Sequence, residues 1–408
     1  MIIQITKRQF GIKKLCMYFC IALLTVPFIG VANFSVLIGF QKFSWINVAL
    51  KYMRYIDTII MAFGIFVYKI IEKKRNSQLA ILIAISYLYL VIITLSKGGT
   101  HISQLIYVII QILFWDLILF QDAKYTISLV GILNFFAFLN FLCILAYSQE
   151  GGLINYSVNQ RAFYKGNYFL GYDNGYIVLC LPLICLNFSL YYMLKRKIYL
   201  LFAIMCIISE LMINSACTYI GMIVGSLFFL FTFFKNNKGI VKYLIIYLAV
   251  FIGLTLLLLS LTNNDYINRY LYNLFEKNLS STRLILWMHG VEHFMDSPIW
   301  GNGYLVSTFS NGYTTPHNAI LEWSCFGGII FCICMLLIIY TTFVKILYFE
   351  DKVVCRILAS GVVGFLSAYF AEGYSTYITY WLFLIIVLLL NNCEQWIDRF
   401  INKEDIIT

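Results

Sequence analysis

Apolar runs about as long as a bilayer is thick alternate along this chain with short polar clusters. A helix needs roughly 20 mainly apolar residues to cross the hydrocarbon core. Such runs lie near 15–38, 52–71, 78–96, 102–121, 125–147 and 174–194, and again near 197–214, 218–234, 241–261, 317–344, 353–371 and 375–392. The pattern predicts an all-α fold, a polytopic integral membrane helical bundle of about 12 transmembrane helices, with 1–408 forming a single membrane domain. The second run is the least regular, because Arg54 and Asp57 fall in its first turns. Lys7, Arg8, Lys13 and Lys14 precede the first run as they would in a signal peptide. That run continues past Phe34 without a small-residue cleavage site, so it is expected to be a retained helix. No internal repeat is visible in the sequence.

Composition agrees. Hydrophobic residues make up 62% of the 408 and charged residues 12%, and the mean hydropathy is +0.84. A soluble chain carries roughly 25% charge, so lipid is expected to cover much of this surface. The net charge of +10 does not point to nucleic acid, because the basic residues sit in short clusters between apolar runs. That placement orients membrane helices. With the N-terminus in the cytoplasm, 20 of the 29 lysines and arginines fall inside, which predicts that both termini are cytoplasmic. The long polar stretch at 262–316 contains none of the twelve cysteines, so no external disulfide framework is expected.

Two connections are too long to be linkers, and both fall outside: 148–173 and the large external loop 262–316 between the ninth and tenth runs. Loops of this length are functional or disordered, and the second is too aromatic and aliphatic for plain disorder. Its middle predicts a short helix, capped by Ser281 or Thr282, with Leu284, Trp287, Met288 and Val291 on one face. Such a helix suits the membrane interface. Arg283 stands in its first turn, Pro298 ends it, Gly301-Asn302-Gly303 predicts a tight turn, and Pro316-His317-Asn318 leads into the tenth run. Charges inside apolar runs are functional candidates by default. Asp57, Glu210, Glu322 and Glu372 map to the outer third of their runs and Asp116 nearer the inside, which predicts a polar, outward-facing cavity.

The run Arg283-Leu284-Ile285-Leu286-Trp287, then Pro298, Gly301-Asn302-Gly303 and His317-Asn318, resembles the signature region of the O-antigen ligase and polymerase superfamily. Its members include Wzy-type polymerases of O-antigen and capsular polysaccharide. Arg161 and Gly171-Tyr172-Asp173-Asn174 are similar to a second, weaker segment of that family. The chain departs from it at Trp287, where the ligases often have Leu, and at Phe331, where a further glycine is expected.

The resemblance implies an inverting, metal-independent glycosyltransferase without a cofactor, on the outer face of the bacterial cytoplasmic (inner) membrane. Its donor is an oligosaccharide carried on undecaprenyl pyrophosphate. Membrane lipids, a chain-length regulator and a flippase of the same pathway are the other implied partners. Negative charge grows on the pyrophosphate as the sugar bond breaks, and guanidinium groups are permanently charged planar donors for it. Arg161 and Arg283 are the candidates, with Lys165 and Arg269 as helpers. An unperturbed histidine titrates near pH 6.5, which makes His317 the candidate to take the acceptor proton, and Glu322 is placed to orient it or to act as the base itself. Asn174, Trp287, Gly301, Gly303, Asn318 and Glu210 are expected to support the site.

Three other readings stay open. A ligase would pass finished glycan from the carrier to another acceptor. A flippase of lipid-linked sugars would need mid-membrane polar sites. His289-Gly290-Val291-Glu292-His293 spells H-x-x-E-H, an inverted zinc-protease pattern, although Gly290 weakens the helix it requires.

Overall fold

A computed structural model of the chain describes residues 16–25, 44–120, 123–147, 167–213, 215–234, 237–261, 282–306, 315–347, 349, 351–370, 373, 382–390 and 392. Its helices follow the apolar runs. They are α1 Cys16–Thr25, α2 Ser44–Phe66 with a π-helical turn at Val67–Ile71, α3 Gln78–Ser96, α4 Ile102–Leu119, α5 Ala123–Tyr147, α6 Asp173–Leu194 and α7 Lys197–Ile213. After these come α8 Ala216–Thr232, α9 Asn237–Leu261, α10 Thr282–Asp296, α11 Ala319–Leu347 and α12 Lys352–Phe370, then α13 at 382–390. Among the described residues six helices are long and apolar enough to cross a membrane: α3, α4, Lys124–Ala146 of α5, Gly175–Leu194 of α6, α11 and α12. The chain is a multi-pass helical membrane protein.

The structure refines two expectations. The run at 317–344 is not one continuous helix, because Gly328 in α11 has φ 63° and ψ −163°, a conformation that only glycine adopts without strain. On α10 the predicted face is buried in part: Trp287 and Val291 pack inward, but Leu286 joins them in place of Met288, which is exposed. The helix turns its Leu286–Gly290 side inward because Gly290 lets it approach closely: a Cβ there would lie 3.1 Å from the Pro316 Cβ.

The chain forms two compact units. One comprises 1–75, 114–215 and 385–408. Within it α5, α6 and α7 pack together, and Asn134 and Asn187 exchange side-chain hydrogen bonds of 2.8 and 2.7 Å. Such pairing satisfies amides that lipid could not. A two-stranded hairpin, β1 Asn167–Tyr168 and β2 Gly171–Tyr172, is tied down where the Leu170 amide donates to Asn140 Oδ1 at 2.7 Å.

The other unit comprises 76–113 and 216–384. Here α8 lies close against α12, since a Cβ on Gly225 would come within 3.0 Å of the Ser360 carbonyl oxygen; small residues are how membrane helices approach. Arg356, buried in α12, donates from Nε to the Thr232 carbonyl at 2.9 Å. A buried charge thereby caps the end of α8.

Candidate active site

The second unit concentrates the polar chemistry at the start of α11. The glycine break separates a half-helix, residues 319–327, from the remaining 329–347. A break at membrane depth leaves carbonyls that lipid cannot satisfy, and here those of Cys325, Phe326 and Gly327 find partners. Asn302 and Gly303 donate their backbone N–H groups to the Cys325 and Phe326 carbonyls at 2.8 and 2.9 Å. The Tyr89 hydroxyl from α3 lies 3.1 Å from the Gly327 carbonyl and 2.9 Å from that of Trp300. On the far side, the Ile329 amide donates to the Pro298 carbonyl at 2.9 Å.

The turn that seals the break needs its glycines. Gly301 and Gly303 have φ of +80° and +84°, and a Cβ on Gly301 would stand 2.5 Å from the amide nitrogens of Gly327 and Gly328. Tyr304 completes the plug. Its amide donates to Thr94 Oγ1 at 2.9 Å, its hydroxyl to Gln104 Oε1 at 2.6 Å, and its ring meets Phe326 edge-on at 5.3 Å.

At the other end of the half-helix, Asn318 is the N-cap. Its Oδ1 accepts from the Leu321 amide at 3.2 Å, satisfying one of the donors that a helix start leaves over. Its Nδ2 donates to the Phe370 carbonyl at 3.2 Å, joining the start of α11 to the end of α12. His317 therefore stands just outside the cap and Glu322 in the first turn. His317 has φ +52°, a left-handed backbone uncommon for a non-glycine residue.

Glu322 is fully buried. The Tyr369 hydroxyl of α12 donates to its Oε2 at 2.7 Å, and Gly373 lies against the other oxygen, close enough that a Cβ there would clash with Oε1. Thr315 Oγ1 faces the same glycine, 2.8 Å from that Cβ position. Trp323 packs edge-on to Tyr369 at 5.8 Å. It also lines an apolar cavity of about 100 Å³ with Phe251 and Ile252 of α9 and Leu366 of α12.

α10 closes over this half-helix. Trp287 meets Phe370 edge-on at 5.4 Å and clusters with Leu321, while Cys325 Sγ donates to the Gly290 carbonyl at 2.9 Å. Asn302 Nδ2 holds the other end of α10 through the His293 carbonyl.

The unit thus brings together His317, Glu322, Asn318, Trp287, Gly301 and Gly303. Arg283 lies in the first turn of α10, two turns ahead of Gly290, and its side chain is outside the described residues. Asn174 opens α6 in the first unit, and its side chain likewise is outside the described residues. Glu210 is fully buried in α7, beside Tyr176 and Cys180 of the same unit. Arg161, Lys165, Arg269 and Glu372 lie outside the described residues.

His289, Glu292 and His293 all fall on α10, with His293 Nδ1 3.7 Å from Asp296 Oδ2. Among the described residues no three His, Cys, Asp or Glu side chains group as metal ligands would. The sequence reading missed Tyr369, Thr315, Gly373 and Tyr89. The only local signal was Gly373, placed directly after an acidic residue near the end of an apolar run.

No curated protein matches the chain. Residues 200–336 match a family model described as O-antigen ligase, a stretch that holds Glu210, α10, the glycine turn, His317, Glu322 and the break at Gly328. That match supports the resemblance to the O-antigen ligase/polymerase superfamily over those residues.

Proposed function

We propose that the protein polymerises oligosaccharide repeat units carried on undecaprenyl pyrophosphate, on the outer face of the cytoplasmic membrane, into O-antigen, capsular or exopolysaccharide. The observation that carries this reading is the half-helix of α11, which buries Glu322 under a Tyr369 hydrogen bond, with His317 in a left-handed backbone just ahead of its cap. A histidine and a buried carboxylate at the same helix start are groups that general-base chemistry can use.

In the proposed reaction the acceptor hydroxyl oxygen attacks the anomeric carbon of the donor sugar from the face opposite the pyrophosphate. The C–O bond to the pyrophosphate breaks, and its electron pair leaves on that group. His317 takes the hydroxyl proton and Glu322 steadies the resulting imidazolium. Arg283 and Arg161, with Lys165 and Arg269, meet the growing pyrophosphate charge, a role that fits fixed guanidinium donors in place of a divalent ion. Asn318, Trp287, Gly301 and Gly303 hold the half-helix and its cover.

A second reading, transfer of finished glycan to another acceptor, is favoured by the family description, O-antigen ligase. The surface glycan of a deletion strain tests both. Chains of one repeat mean polymerase, and free polymer left on the lipid carrier means ligase. Repeats retained on the cytoplasmic side mean a flippase and would sink both readings.

A further inference from the structure

We infer that Tyr369 is a positioning residue for Glu322, and that Gly373 and Thr315 form the wall against which the carboxylate is aimed. The inference rests on the proposed role of Glu322 in glycan transfer. A carboxylate on a single side-chain stem can rotate about its last bond, and a base or orienting group works only when one oxygen is held in one direction. Tyr369 supplies that hold. Its hydroxyl donates to Oε2 at 2.7 Å, and its ring cannot swing away, because Trp323 meets it edge-on at 5.8 Å and Phe365 packs on it at 6.1 Å.

With Oε2 fixed, the direction of Oε1 is fixed too. That oxygen faces Gly373, where a Cβ would also lie 3.1 Å from the Glu322 Cδ. The absence of a side chain at 373 is what allows the carboxyl group to sit there. Thr315 Oγ1 borders the same spot, two residues before His317, so Oε1 is turned toward the segment that carries the histidine. Tyr369 and Glu322 lie on different helices, 47 residues apart. The pair therefore also sets the register of α12 against the half-helix at the one carboxylate the reaction uses.

The test measures transfer by the purified full-length protein in lipid nanodiscs, with undecaprenyl-pyrophosphate-linked repeat units as substrate. Tyr369→Phe keeps the ring contacts and removes only the donor. It is expected to lower kcat by about tenfold to a hundredfold, the cost of misaligning a reacting group, with KM unchanged. In a Glu322→Gln background the same change is expected to cost nothing further, because groups that act as a unit are not additive. Gly373→Ala, which forces the carboxyl group to move, is expected to lower kcat as well. Unaltered kcat in Tyr369→Phe overturns the inference and leaves the transferase reading intact. An equal loss in the Glu322→Gln background overturns it too, since a merely structural role predicts that result. Wild-type protein that transfers no glycan overturns both.

Discussion

Glu322 and His317 occupy costly positions, one a buried carboxylate and the other a non-glycine residue with φ +52°. Burying a carboxylate costs stability, which fits the catalytic roles proposed for the two residues. His317→Ala and Glu322→Gln are each expected to reduce glycan transfer by about a hundredfold or more, the usual reach of general acid–base catalysis. Pulse-labelled surface glycan, with single repeats accumulating, checks this. Asn318→Ala should act differently, removing both the cap and the bond to the Phe370 carbonyl. A loss of about 1–2 kcal/mol in stability, read as a lower melting temperature in detergent, is the expected result. The sequence made His317, Asn318 and Glu322 legible because polar residues at the head of an apolar run have few structural uses. Tyr369 was not legible, since a tyrosine in a span looks like any other packed aromatic until its partner, 47 residues away, is known.

Among the elements, α11 departs furthest from what its composition suggests. The run at 317–344 is apolar throughout, so hydropathy reads one span, and the Gly327-Gly328 pair alone does not say whether the helix bends or breaks. The break is decided elsewhere, by donors at 302 and 303 and a hydroxyl on α3. Gly328→Ala is expected to be severely destabilising, because its Cβ would lie 2.5 Å from the Ile299 carbonyl carbon and 2.7 Å from the Gly301 nitrogen. Tyr89→Phe removes the one hydroxyl donor that the Trp300 and Gly327 carbonyls share and should cost about 1–3 kcal/mol. Thermal unfolding followed in detergent checks both, and the glycine variant should yield little folded protein. The short helix inside the large loop was readable from its period and its terminal proline. Its buried face was readable only in part, at Trp287 and Val291, because Gly290 has no side chain for a hydropathy pattern to register.

For the whole molecule, the membrane class was settled by composition, and the described helices follow the apolar runs closely. Sidedness rests on the lysine and arginine bias alone. Asn264→Cys, after the ninth run, is expected to react with a membrane-impermeant thiol reagent added outside intact cells. Asn236→Cys, between the eighth and ninth runs, is expected to react only after permeabilisation. The opposite labelling would reverse the orientation and place the half-helix on the wrong side for glycan transfer.

The sealed break in α11 also constrains how the protein is made. Every group that satisfies it, Tyr89, Pro298, Asn302 and Gly303, precedes residues 325–329 in the chain. When the ribosome delivers the interrupted helix to the translocation machinery, its partners have already been synthesised and are available to receive it. A rearranged gene that places the 298–303 coding segment downstream of α11 would release bare carbonyls into lipid. Its product is expected to stall or be degraded at insertion even if the finished fold were equally stable.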